Sequence, residues 1–364
     1  AVIVSAMAGE TNRLTGLAEA IGGLHDHREL DVLLSSGEQV SVALLAMAIN
    51  AAGGKATSLL GHQARVRTDS TFSRARIQDL DAARLRRLMD AGRVPIVAGF
   101  QGVDAEGNIT TLGRGGSDTS AVAVAAALRI DDDERPEGER EGVCCEIYTD
   151  VDGVYTTDPN ICPEARRIPR ITFEEMMELA SLGAKVLQIR SVEVASAHNV
   201  PIHVRSSFSE EEGTMVVNQD AALEKVVVTG VSLDRDQARV TLRGLPMSPK
   251  LQSSVFSPLG AAGVVIDVIV QNPPVEGRTS ISFTLPRTAL AQGLDIVRPV
   301  AETLGAEDVL SDDDIAKVSI VGVGMRSHAG VAQKMFETLA EEGIEALMIT
   351  TSEIKVSCVI PRRY

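Results

Sequence analysis

Cysteine is scarce in this 364-residue chain, and Cys144, Cys145, Cys162 and Cys358 have neither CxxC spacing nor a neighbouring histidine pair. That excludes a zinc ribbon or a dithiol redox motif and leaves reduced, buried thiols as the expectation. Histidine is equally thin, with His25 and His27 the only close pair among six, so no metal site is predicted. Basic residues are outnumbered, 35 Lys and Arg against 50 Asp and Glu, for a net charge of −15. This balance excludes nucleic acid as a general partner, because neutralising phosphates takes basic patches. It does not exclude nucleotides, which local dipoles and a few cations can hold. No run approaches the roughly 20 apolar residues of a membrane span. No charged segment followed by an apolar stretch opens the chain, so the expectation is a cytoplasmic protein with no membrane partner.

What is present starts with length and core. A hydrophobic content of 44% fills cores, and 364 residues suggest two or three domains. The densest signal is Thr111-Leu112-Gly113-Arg114-Gly115-Gly116-Ser117-Asp118, followed by a small apolar run from Thr119 to Leu128. Its glycines allow positive φ and close backbone approach to a ligand. Ser117 or Asp118 is placed to cap the helix that Ala121, Val122, Val124 and Ala125 would build, and a helix start presents unpaired N–H groups to an anion. Arg114 adds a planar fork suited to a carboxylate or a phosphate.

Short apolar strands alternate with helical stretches up to about residue 208, which predicts a mainly parallel α/β sheet. Val2 to Val4, Val94 to Phe100, Glu146 to Thr149 and Ile202 to Arg205 are the strands, and Val40 to Asn50 is a small-residue helix. Ligands in such sheets gather beyond the carboxyl ends of strands, where Gly99, Arg114 to Asp118 and Asp150 all fall. The segment 131–142 holds seven carboxylates and two arginines, and is predicted as a solvated loop. Thr172-Phe173-Glu174-Glu175 is a capping box opening a helix that stops at Gly183 and restarts at Ala184. Lys185 would then sit in a first helical turn, where a cation opposes the macrodipole unless an anionic ligand is bound there.

A different pattern follows Glu210-Glu211-Glu212-Gly213. Ala238 to Leu245 and Ala316 to Val323 match with an offset of 78 positions (316 minus 238). Each leads into a helix, then strands: Val264 to Gln271 and Ser280 to Leu285 in the first copy, Ile344 to Ile349 and Ile354 to Ile360 in the second. This is a tandem β-α-β-β repeat, ferredoxin-like in outline. Ala1 to Ser5 reads as a strand already under way, and the second copy stops before a final helix, so both ends are expected to be cut within a domain.

Taken in order, Ser5 to Asn12, Ser35-Ser36-Gly37-Glu38, Thr111 to Asp118, Tyr148 to Pro159, Gly183-Ala184-Lys185 and Ile349 to Glu353 resemble the aspartokinases of the amino-acid-kinase family. The resemblance implies an α/β/α sandwich (carbamate-kinase-like) over residues 1–209, a first ACT domain over 225–310 and a second over 311–364, both ferredoxin-like. It implies transfer of the ATP γ-phosphoryl group, with ATP as its Mg2+ complex, to the side-chain carboxylate of L-aspartate. Thr11, Glu38, Arg114 and Ser117 would hold aspartate, with Arg114 on a carboxylate and Glu38 on the ammonium. Gly115 and Gly116 would offer backbone donors to the moving phosphoryl group, and Asp118 would organise the transfer site by pairing with a lysine. Thr149, Asp150, Tyr155, Asp158, Lys185 and Val186 would surround ATP. Asp267, Asn272, Ser327, Ser352 and Glu353 match effector positions for lysine or threonine, and ACT pairing implies a homodimer or larger assembly.

This chain departs from the family pattern in four places. The Lys-Phe-Gly-Gly-Thr-Ser segment that opens the family is absent, and Asn160 stands where the pattern has arginine. The acidic stretch 131–142 lengthens a connection, and Met247, Lys250 and Glu345 replace usual residues in the ACT copies. Two other readings stay open on the residues alone: a related kinase acting on glutamate, acetylglutamate or UMP, and a catalytically silent amino-acid sensor.

Overall fold

The computed structural model describes residues 1–22, 26–134, 142–184, 186–218, 227–326, 328 and 330–364, in two units, Ala1–Glu224 and Lys225–Tyr364. In the first unit, β1 (Val2–Val4) leads through a turn into α1 (Glu10–Ile21), and α2 (His27–Ala51) returns to β2 (Ala56–Leu59). Then come β3 (Val66–Thr68), β4 (Ile77–Leu80), α3 (Ala83–Asp90), β5 (Val94–Ala98), β6 (Gln101–Val103) and β7 (Ile109–Thr111). α4 (Gly116–Asp133), β8 (Cys145–Thr149), β9 (Arg170–Thr172), α5 (Phe173–Ser181), α6 (Ile189–Ala197), β10 (Ile202–Ser206) and β11 (Thr214–Val217) complete it. Strands β1, β5 and β2 form a parallel sheet in the order β1-β5-β2, with Val4 opposite Ala98 and Leu59 opposite Val97. A second sheet is ordered β8-β10-β11-β9, parallel at β8-β10 and β11-β9. A third runs β4-β3-β6-β7.

Helix α4 is apolar nearly all round, with Val122, Val124, Ala125, Ala126 and Leu128 buried, which is the pattern of a fully enclosed helix. It packs on β1 and β8, and burial outweighs the modest helical cost of its β-branched valines. The capping box forms: Thr172 Oγ1 accepts from Glu175 N at 3.1 Å, and Glu175 Oε2 accepts from Thr172 N at 3.0 Å. Phe173, Met176 and Leu179 are buried behind it.

Three local expectations are corrected. The small-residue helix begins at His27, not Val40, with Asp26 as its cap, so Ser35 to Glu38 lie in mid-helix. By length and composition α2 is also apolar enough to cross a membrane. One face of it, with Asp31 and Glu38 buried, packs on β2, β5 and β7, while Val40, Leu44 and Met47 on the rest are exposed. The helix ending near Gly183 does not restart at Ala184: α6 starts at Ile189, capped by Gln188. Lys185 itself lies outside the described residues, as do 135–141 of the acidic segment, while 131–133 extend α4.

The second unit is one six-stranded sheet. Its elements are β12 (Gly230–Pro246), α7 (Leu251–Ala261), β13 (Ile269–Gln271), β14 (Arg278–Leu285), α8 (Leu290–Leu304), β15 (Asp308–Val321), α9 (Val331–Glu341), β16 (Met348–Thr351) and β17 (Lys355–Pro361). The order β13-β14-β12-β15-β17-β16 places the matching strands of the two repeats side by side and antiparallel. Both long strands serve both repeats. Residues 239–243 of β12 pair with 308–312, and register shifts before 239 separate them from Gly230–Asp234, which pair with Lys317–Val321. The second repeat therefore takes a strand from ahead of the first, and a boundary at 310 falls inside β15. A contiguous tandem would have left two more strand edges open, which sheets tend to cover.

Candidate active site

The Gly-rich loop follows β7 directly. Gly113 (φ 77°) and Gly115 (φ 67°) both take the left-handed backbone that a Cβ disfavours. Gly115 is the cap of α4, without a side-chain bond, so Ser117 and Asp118 lie in the helix's first turn rather than capping it. The cap is left to glycine by space: a Cβ on Gly115 would meet Gln188 Cγ at 1.9 Å. The same contact brings the segment carrying Val186 and Gln188 onto the loop. Gly99, at the end of β5, is as tightly confined, since a Cβ there would meet Ser117 Oγ and Val4 O at 3.0 Å. The ends of β1 and β5 and the start of α4 thus converge.

Arg114, between the two left-handed glycines, is exposed and forms no ion pair with a described residue. Asp118 is half-buried, and burial pushes its carboxyl up to about 6. The amides of a first turn have no intrahelical partner, so this end of α4 favours negative charge.

Glu38 is 3% exposed in the middle of α2. Its Oε1 accepts from Ala6 N at 3.0 Å, and its Oε2 has no partner among the described residues. Burial is the main cause that raises its pKa above the usual range, partly offset by that amide. Gly37 makes the approach feasible, because a Cβ there would lie 2.9 Å from Ala6 Cβ. Thr11 is exposed on the second residue of α1.

Beyond β8, Thr149 Oγ1 donates to Asp150 Oδ1 at 3.1 Å. Tyr155 donates to Asp152 Oδ1 at 2.9 Å, and that bond raises its pKa. Asp158 accepts from Asn160 N and Nδ2 at 2.8 and 3.0 Å, so this pair closes a turn on itself. Asp150 and Asp158 are exposed and Val186 is half-buried.

In the second unit, Asp267 is ion-paired with Lys317, whose side chain is only 5% exposed. Asn272 and Ser352 are exposed in edge turns, Asn272 N donating to Ser280 O and Ser352 N to Lys355 O. Glu353 is exposed beside Ser352. Ser327 lies outside the described residues, and the helix that follows begins at Val331, capped by Gly330.

Three charged residues around these sites escaped the sequence reading: Asp31, Arg190 and Lys317. Each is a charge within an apolar or helical run, which is the one local signal they give. Their partners are 42 to 115 positions away.

The amino acid kinase family model matches residues 1–206, and an ACT domain model matches 318–364. An aspartokinase of Pseudomonas aeruginosa is 52% identical over 365 residues, covering 100% of this chain and 86% of the relative. Among solved structures, aspartokinase III of E. coli in complex with aspartate and ADP (R-state) has a TM-score of 0.73 at 28% identity, over 97% of this chain and 76% of that one. The same enzyme in complex with lysine and aspartate (T-state) has a TM-score of 0.71 at 28% identity, with the same coverage.

Proposed function

Since this chain belongs to the amino acid kinase family, as an aspartokinase with ACT-domain structure, we propose that L-aspartate and Mg2+-ATP meet at the start of α4. It is an aspartate kinase. One observation carries the assignment of its site: an exposed arginine held between two left-handed glycines at the mouth of a buried helix. Arg114 takes a carboxylate of aspartate, Glu38 takes its ammonium, and Thr11 and Ser117 complete the pocket. The unpartnered Oε2 of Glu38 supports this, because a buried carboxylate oxygen with no donor is costly unless a ligand supplies one.

A side-chain oxygen of aspartate forms the new bond to the γ-phosphorus as the bond to the β-bridging oxygen breaks, giving 4-phospho-L-aspartate and ADP. The acceptor is already a carboxylate at neutral pH, so no general base is needed. Catalysis reduces to positioning and charge. The Gly115 amide and the first turn of α4 are assigned to the charge on the transferring group, whereas the Gly116 amide, expected to share that role, already donates to Gly113 O at 3.0 Å. Asp118 then serves to hold a cation at the transfer site. Thr149, Asp150, Tyr155, Asp158, Lys185 and Val186 are assigned to ATP; the contact of Gln188 on Gly115 supports placing that segment at the phosphates.

The second unit is assigned a regulatory role, with lysine or threonine as effector at Asp267, Asn272, Ser327, Ser352 and Glu353. Supporting this are the ACT match and the lysine complex of the E. coli enzyme. Asp267 already holds one primary ammonium, that of Lys317. Effector binding would shift a conformational equilibrium towards poorer substrate affinity. A cytoplasmic homodimer or larger assembly, acting at the first step towards lysine, threonine, methionine and isoleucine, completes the proposal.

The test is Arg114→Ala. The KM for aspartate should rise at least tenfold with the KM for ATP within about twofold, the loss of one charge-assisted pair. Equal changes in both would refute the placement.

A further inference from the structure

We propose that Asp31 and Arg190 are positioning residues for the aspartate-binding loop, clamping its entry from opposite sides. The inference rests on the assignment of Arg114 to aspartate. Asp31 is fully buried on α2, and its carboxylate is saturated by two segments distant in sequence. Ser73 N donates to Oδ1 and Oδ2 at 3.0 and 2.9 Å, and Ser73 Oγ to Oδ1 at 3.3 Å. Thr111 N donates to Oδ2 and Thr111 Oγ1 to Oδ1, both at 2.7 Å.

Arg190, from α6, joins the same two segments from another element. Its Nη1 donates to Leu112 O at 2.7 Å and its Nη2 to Ala75 O at 2.5 Å. Between the two charged groups, Ala75 N donates to Thr111 O at 2.9 Å. Residues 73–75 and 111–112 are thereby tied together on three rungs, one acidic, one backbone and one basic.

The clamp closes directly ahead of Gly113. Ser73 is held at φ 68°, unusual for a residue with a Cβ, and its carbonyl oxygen lies 2.9 Å from where a Cβ of Gly113 would be. Asp31 therefore fixes both Thr111 and the residue against which Gly113 turns. Arg114 comes two positions after Leu112. A loop with two left-handed glycines has little stiffness of its own, so its geometry must be imposed by what grips its ends. Here every side-chain bond ends on the two segments that frame one turn.

The test uses the whole enzyme and variants that keep most of the clamp. Thr111→Val removes one donor to Asp31 and leaves the backbone bond, and Arg190→Met keeps the apolar stem of the side chain without its donors. Both should raise the KM for aspartate five- to twentyfold, leave the KM for ATP within twofold, and do so well below their melting temperatures. Thr111→Ser, which restores the hydroxyl, should recover most of the loss. If both variants melt earlier but keep the wild-type KM for aspartate while Arg114→Ala raises it, the residues are structural only and the inference fails. If Arg114→Ala leaves that KM unchanged, the assignment of the loop to aspartate fails, and the inference falls with it.

Discussion

Replacing Asp118 by asparagine should make the protein more stable and the enzyme far less active. Burial holds the Asp118 carboxyl at about 6 in the folded chain, against about 3.9 in an unfolded one. The folded state thus binds the proton more tightly, so stability is fully present below pH 3.9 and is lost as pH rises to about 6. At pH 7.5 the ionised group costs up to roughly 3 kcal/mol, taking two pKa units at about 1.4 kcal/mol each. Asp118 is only half-buried, so solvent screening reduces this to about 1–2 kcal/mol, or a rise of roughly 2–6 °C in melting temperature for a unit of this size. Melting curves of the two proteins without nucleotide, at pH 7.5 and 4.5, provide the assay. The asparagine variant should melt higher at pH 7.5, and the gap should narrow to about a third of that at pH 4.5. Activity should drop at least 100-fold, because the charge that costs stability is the one assigned to hold a cation at the transfer site. A difference in melting temperature that is absent, inverted or independent of pH would falsify the argument.

Gly115→Ala should abolish most activity: the added Cβ meets Gln188 Cγ at 1.9 Å on a backbone at φ 67°, and kinetics with both substrates should show losses in each. Asp267→Asn should destabilise by about 1–3 kcal/mol, since it leaves the buried Lys317 ammonium without its partner. Lys317→Met should cost less, because the exposed side of Asp267 keeps its water; urea melts of the two single variants and the double one measure the coupling. The double variant should recover most of the loss of Asp267→Asn, and strict additivity would count against the pair.

What the sequence disclosed was what neighbours in the chain determine. The capping box at Thr172 and Glu175 forms as its spacing predicts, because a cap is a contact over three residues. The Gly-rich segment is a turn into a helix for the same reason, although glycine takes the cap that Ser117 or Asp118 was expected to supply. Helix α2 was seen only in its apolar second half, since its first half carries Asp31, Ser35 and Glu38, polar residues buried by contacts 32 to 80 positions away. The sharing of β12 and β15 by both repeats was not legible either. A strand pattern states which face is buried, not which partner lies alongside.

Asp31 and Glu38 show how satisfaction separates two otherwise similar groups. They lie seven residues apart, so one face of α2 carries both carboxylates, and both are buried. Every oxygen of Asp31 accepts from the protein, whereas Glu38 Oε2 has no partner among the described residues. A saturated buried acid holds structure, and one left half-satisfied is open to a ligand. Asp31→Asn turns two lone-pair positions into an NH2 that faces existing donors, so it should destabilise by about 2–4 kcal/mol. Glu38→Gln keeps an acceptor for Ala6 N and removes a charge that burial already disfavours, so its melting temperature should stay within about 2 °C or rise. Its KM for aspartate should nevertheless increase at least tenfold, with that for ATP little changed. Were Glu38→Gln to destabilise as strongly as Asp31→Asn while leaving aspartate binding intact, the distinction between the two acids would be void.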